Sequence, residues 1–122
     1  MDQKSIRPIA KFENAEEFKI PRNRPATIIL PAYPPDEVLP AYVGIAIYRT
    51  EDTGTPTNTV ETAPFKQPVA GIETRFELTL EEMSYIAGPK IKSLILGERY
   101  AAQSGEGGFP ADIKSPPYTV VG

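Results

Sequence analysis

Apolar positions in this chain of 122 residues recur mainly at every second place, the spacing of strands that turn one face to a core and the other to solvent. Val43, Ile45 and Ile47 alternate with Tyr42, Gly44, Ala46 and Tyr48, and Phe76, Leu78 and Leu80 alternate with Arg75, Glu77 and Thr79. The first set predicts a central strand, because neither of its faces is strongly charged. Residues 26–33 form a β-branched run between prolines, and residues 91–96 are rich in isoleucine and leucine, so both predict strands. Residues 115–121, led by Pro116 and Pro117, predict the closing strand. Residues 63–69 predict a short edge strand limited by Pro64 and Pro68. Within residues 1–20, Pro8 interrupts the alternation, which predicts an edge strand or a leader segment.

The period changes once. Thr79 followed three places later by Glu82 is a capping-box pattern, and Met83 and Ile86 would point together into one end of the core. Gly88 is placed to supply a left-handed residue after the turn, and Pro89 forbids its continuation. Residues 74–96 therefore predict a strand, a one-turn helical corner built on Met83, Ile86 and Gly88, and a second strand crossing to an opposite sheet. A weaker helical signal lies at residues 14–18, where Asn14 would cap an acidic first turn that Pro21 ends.

Residues 34–40 and 51–62 are aperiodic connections, the second with Asp52 and Gly54 suited to a turn. Residues 97–117 are weakly patterned, and residues 104–108 read as a glycine-rich loop between Tyr100 and Phe109. Together these signals predict about seven strands in one all-β domain over residues 1–122, a two-sheet antiparallel sandwich. No helix is long enough to make a parallel crossover.

Composition agrees. Fourteen prolines and nine glycines punctuate the chain too often for long helices. The net charge of −3 is spread over interspersed residues, and without a basic stripe nucleic acid is set aside as a partner. No apolar run reaches membrane-spanning length, so no membrane insertion is expected, and the first residues lack the apolar core of a signal peptide. The absence of cysteine removes disulfides and leaves the redox compartment open.

Histidine is also absent, which excludes catalytic triads and most transition-metal sites built on those two residue types. A carboxylate-based hydrolase could draw on Asp36 with Glu37, Glu51 with Asp52, or Glu81 with Glu82, but adjacent loop acids are ordinarily solvated surface. Glu51, Asp52 and Asp112 are oxygen donors of the kind calcium takes, although they form no dense ligand run. The expectation is no catalytic residue, no metal and no cofactor. Gly105, Gly107 and Gly108 lack the lysine and helix of a phosphate loop. Tyr42 and Tyr48 share a strand face with only Gly44 and Ala46 between them, an aromatic-rimmed trough for a protein or glycan surface, or simply a second packed layer.

The order of elements over residues 28–121 resembles the immunoglobulin-like β-sandwich repeats of large bacterial surface and secreted proteins, especially those of pseudomonads. The resemblance is carried by Phe76 and Leu78, the anchors Met83 and Ile86, Gly88, the strand at residues 91–96, Gly105 to Gly108, and Ser115-Pro116. Two departures stand out: Ile95 or Leu96 where a tyrosine is common, and Tyr48 near a position usually held by tryptophan. The resemblance implies a non-enzymatic spacer or adhesion repeat, extracellular or at the cell surface if the chain is a segment of a longer one. The alternative is a freestanding protein-binding factor of a toxin-neutralising or virion-associated kind.

Overall fold

The computed structural model describes residues 9–34, 38–62, 65–101 and 109–122. The chain enters as two short strands, β1 (Lys11–Phe12) and β2 (Lys19–Pro21), followed by β3 (Ala26–Leu30), β4 (Tyr42–Glu51), β5 (Val60–Glu61) and β6 (Thr74–Leu78). A helix, α1 (Leu80–Ile86), precedes β7 (Ile91–Ala101), β8 (Phe109–Lys114) and β9 (Tyr118–Val121). The fold is all-β. Its smaller sheet has the order β1-β3-β6, and its larger sheet the order β2-β9-β7-β4-β5, with β8 also paired to β7.

Inward-facing residues of both sheets make one core, in which Ile28, Leu30, Val43, Ile45, Ile47, Leu94 and Leu96 have no exposure. The alternation in β4 therefore reads correctly on its core face. Its other face is covered as well. Ala46 is fully buried, and a Cβ on Gly44 would lie 2.5 Å from the Phe65 ring, so glycine is what lets that ring lie on the strand. The space between Tyr42 and Tyr48 is thus occupied by Phe65.

β7 runs on to Ala101, past the predicted end at Leu96, and pairs with β4 from Glu51↔Ile91 to Tyr42↔Ala101. The extension was hidden because its centre is charged. Glu98 is 2 % exposed and accepts hydrogen bonds from the hydroxyls of Tyr33 and Tyr100, the latter at 3.1 Å, so a carboxylate occupies an interior strand position with partners. β8 pairs with the same strand through Gly97↔Lys114 and Tyr100↔Phe109. The glycine-rich stretch at residues 104–108 lies outside the described residues.

The entering segment belongs to both sheets. β1 pairs antiparallel with β3, whereas β2 pairs parallel with β9. Between them Glu17 and Phe18 have left-handed φ values of 51° and 59°, in a tight turn where Glu16 and Lys19 exchange backbone hydrogen bonds of 3.1 and 2.9 Å. This turn replaces the helical turn predicted at residues 14–18. Tertiary contacts hold it: the Phe18 carbonyl accepts from Thr119 N at 2.7 Å, and its ring lies 5.2 Å from that of Tyr118.

The corner forms as its pattern predicts at one end and differently at the other. Thr79 Oγ1 accepts from Glu82 N at 3.1 Å, while Glu82 Oε1 accepts from Thr79 N at 2.8 Å, completing the capping box. Met83 and Ile86 are buried in the core. Gly88, however, has no left-handed φ, and the cap residue is Ala87 at φ −108°. Two arginines close this helix end. Arg22 donates to the carbonyls of Ala87 and Gly88, and Arg49 to those of Tyr85 at 3.3 Å and Ile86 at 3.5 Å. Cations serve the unpaired carbonyls that a left-handed glycine would otherwise help to satisfy.

Candidate functional site

Three elements leave a gap along one side of the sandwich. β6 is the edge of the smaller sheet, the two-residue β5 is the edge of the larger one, and α1 closes the end. The groove between them has a volume of about 660 Å³, within the size range of ordinary ligand clefts. Ile47, Phe76, Leu78 and Ile86 form its floor, because the alternation that points them to the core also brings them beneath the gap. Val60 and Tyr85 line its walls, and Tyr85 is 65 % exposed.

The charges of the rim differ in how far they are engaged. Arg75 is paired with Glu13 at 2.7 Å and Glu73 at 2.9 Å, and these hydrogen bonds, Glu13 foremost, hold its guanidinium above the ordinary value. Lys66 Nζ donates to the Arg75 carbonyl and lies 5.3 Å from the centroid of the Phe76 ring. Glu61 is ion-paired with Arg99, and Glu82 is held in the capping box. Glu77 and Glu81 have no hydrogen-bond or ion-pair partner for their carboxylates among the described residues. The rim thus presents negative charge above an apolar floor, which suits a ligand with apolar groups and a cation.

The backbone of β6 adds a second kind of recognition. Glu13 N donates to the Thr27 carbonyl at 2.8 Å, so Thr27 turns its peptide groups towards β1, and alternation turns those of Ile28 towards β6. Phe76, opposite Ile28, therefore bonds to β3, and Arg75 and Glu77 direct their peptide groups outward. Lys66 covers the first of these positions. The second is bare.

The residues predicted from sequence lie elsewhere for the most part. Tyr42 accepts a hydrogen bond from Gln67 at 3.4 Å, and Tyr48 packs beside Gly97 with Lys114 Nζ 4.6 Å from its ring centroid. Glu51 and Asp52 sit at the end of β4, where their backbone amides bond to Thr55 and Lys90. Among the described residues no three acidic side chains gather as a metal site. Asp36, Glu37 and the side chain of Asp112 lie outside the described residues. Of the acidic pairs, Glu81 and Glu82 line the groove, with Glu82 committed to the cap. Sequence reasoning did not find the groove, although one of its walls, Val60 to Thr62, lies at the end of the polar connection at residues 51–62.

No family model, curated protein or solved structure matches this chain.

Proposed function

We propose that the chain is a non-enzymatic binding module of the immunoglobulin-like sandwich type, a spacer or adhesion repeat within a bacterial surface-associated or secreted protein. The strand order supports the sandwich type. On this reading β1, β3 and β6 correspond to the first, second and fifth strands of such a domain, and β4, β7 and β9 to the third, sixth and last. The helical corner between β6 and β7 carries the chain from one sheet to the other.

The observation that carries the binding role is the open groove. A constant-type sandwich has a fourth strand beside the strand that β6 resembles, and here no strand of the described residues flanks β6 on that side, above an apolar floor. Binding is tested with purified domain and surface fractions of the source cells, comparing the parent chain with the variant Glu81→Lys/Tyr85→Ala. Both side chains are exposed, so the variant keeps the fold, as circular dichroism checks. Weaker retention of the variant is expected, and equal retention overturns the groove as the binding surface. A freestanding protein-binding factor would use the same groove. The flanking coding sequence separates the two, since a repeat predicts neighbours with the same Phe-x-Leu, corner and Ser-Pro spacing.

A further inference from the structure

We infer that the groove accepts an extended peptide of a partner protein, alternating apolar and basic residues, which adds to β6 as a new edge strand. The inference rests on the groove being the binding surface and names what fills it. Two observations point to a strand rather than a helix or a small molecule. The outward peptide groups of Arg75 and Glu77 are spaced as the rungs of an antiparallel or parallel ladder. The floor lies to one side of that edge, so an added strand would drop every second side chain onto Ile47, Phe76 and Ile86. The remaining side chains would point to solvent on the face that carries Glu77.

Charge selects the peptide. Arg75 is neutralised by Glu13 and Glu73, whereas the carboxylates of Glu77 and Glu81 are unpaired among the described residues. A lysine or arginine opposite Glu77 on the solvent face gains a cross-strand ion pair, and an acidic residue there meets like charge. Lys66 acts as a guard on this edge. Its ammonium occupies the Arg75 carbonyl in the free protein, the kind of device that keeps edges from pairing indiscriminately. A long flexible side chain can withdraw when a strand arrives, and its charge then meets the incoming basic peptide as a selectivity limit on how close the next cation sits.

A second copy of the chain could in principle pair through the same edge, with Arg75 opposite Glu77 of the other copy. Both rungs would then need the guarding lysines withdrawn on two chains at once, and Arg75 would have to leave two carboxylates it already holds. The peptide requires only one such withdrawal.

The test uses the full chain, isotope-labelled, with synthetic peptides alternating valine and lysine, valine and glutamate, and a valine-lysine peptide methylated on alternate backbone nitrogens. Strand addition predicts that the valine-lysine peptide slows amide exchange at Glu77. It also predicts binding at least about tenfold tighter than the glutamate peptide or the methylated one. Glu77→Lys should weaken the lysine peptide by a similar factor. Equal binding of the methylated peptide overturns strand addition while leaving the groove as a binding surface. Binding of no peptide, with Glu77 exchange unchanged, also overturns it. Exchange protection that grows with protein concentration alone, accompanied by a dimer in sedimentation, overturns it in favour of self-pairing. Loss of retention in the cell-fraction comparison is read separately, so the two readings fail independently.

Discussion

Arg49 grips Tyr85 twice: its Nη1 donates to the Tyr85 carbonyl at 3.3 Å, and its guanidinium carbon lies 5.2 Å from the centroid of that residue's ring. The same side chain donates through Nε to the Asn58 carbonyl at 2.8 Å, and it is 7 % exposed. One cation from β4 therefore ties the end of α1 to the connection before β5. Arg49→Met should cost about 2 kcal/mol, the worth of charge-assisted bonds partly offset by packing. Arg49→Lys should recover little, since one ammonium cannot reproduce the fork that reaches carbonyls in different directions. Urea denaturation followed by circular dichroism reads both. Parent-like midpoints would show that the helix end is held by packing alone.

Gly88 is the complementary case. It has no left-handed φ, and an added Cβ would meet the Ser84 and Tyr85 carbonyls at an ordinary 3.8 Å. Gly88→Ala should leave stability within about 0.5 kcal/mol of the parent. A left-handed cap would instead be strained by alanine by about 1 kcal/mol or more, which a shifted urea midpoint would reveal.

Met83 is fully buried at the end of the core, beside Ile86. Met83→Ala should cost about 2–5 kcal/mol through lost burial and the cavity left behind. Met83→Asp should unfold the domain by placing an unpaired charge there. A folded Met83→Asp protein by circular dichroism would contradict this placement.

Gly44 and Phe65 should be coupled. Gly44→Ala puts a methyl 2.5 Å from the Phe65 ring and should cost about 1–3 kcal/mol by overpacking. In a Phe65→Ala background the same change should cost much less, because the clashing ring is gone. A double-mutant cycle with no interaction energy would sink the contact.

Tyr118 gives the domain an alkaline limit. Burial raises its phenol above the usual 10.0, and the hydrogen bond it accepts from Phe12 N at 3.3 Å offsets only part of this. Between the unfolded and folded values the native state holds a proton that the unfolded chain has lost, so stability is present below about pH 10 and falls as pH rises through the folded value. Tyr118→Phe should flatten that fall, although it also leaves the Phe12 amide without this acceptor. Urea midpoints across alkaline pH provide the measurement, and an unchanged slope in Tyr118→Phe would assign the loss to other groups.

Much of the frame was legible because it is written in local spacing. The alternation of Val43, Ile45 and Ile47, that of Phe76 and Leu78, and the Thr79/Glu82 box depend on neighbours only a few residues apart, and each element formed where its pattern lay. The tertiary structure decided what distant partners supply. Glu98 could stand inside a strand because Tyr33 and Tyr100 meet it, Gly44 was reserved for the Phe65 ring, and Arg22 with Arg49 took the helix end that the local pattern assigns to Gly88. The groove belongs to this second kind. Among the described residues no strand lies between β5 and β6, and a periodicity read along the chain registers the strands that exist, while only their packing leaves an edge open beside a core.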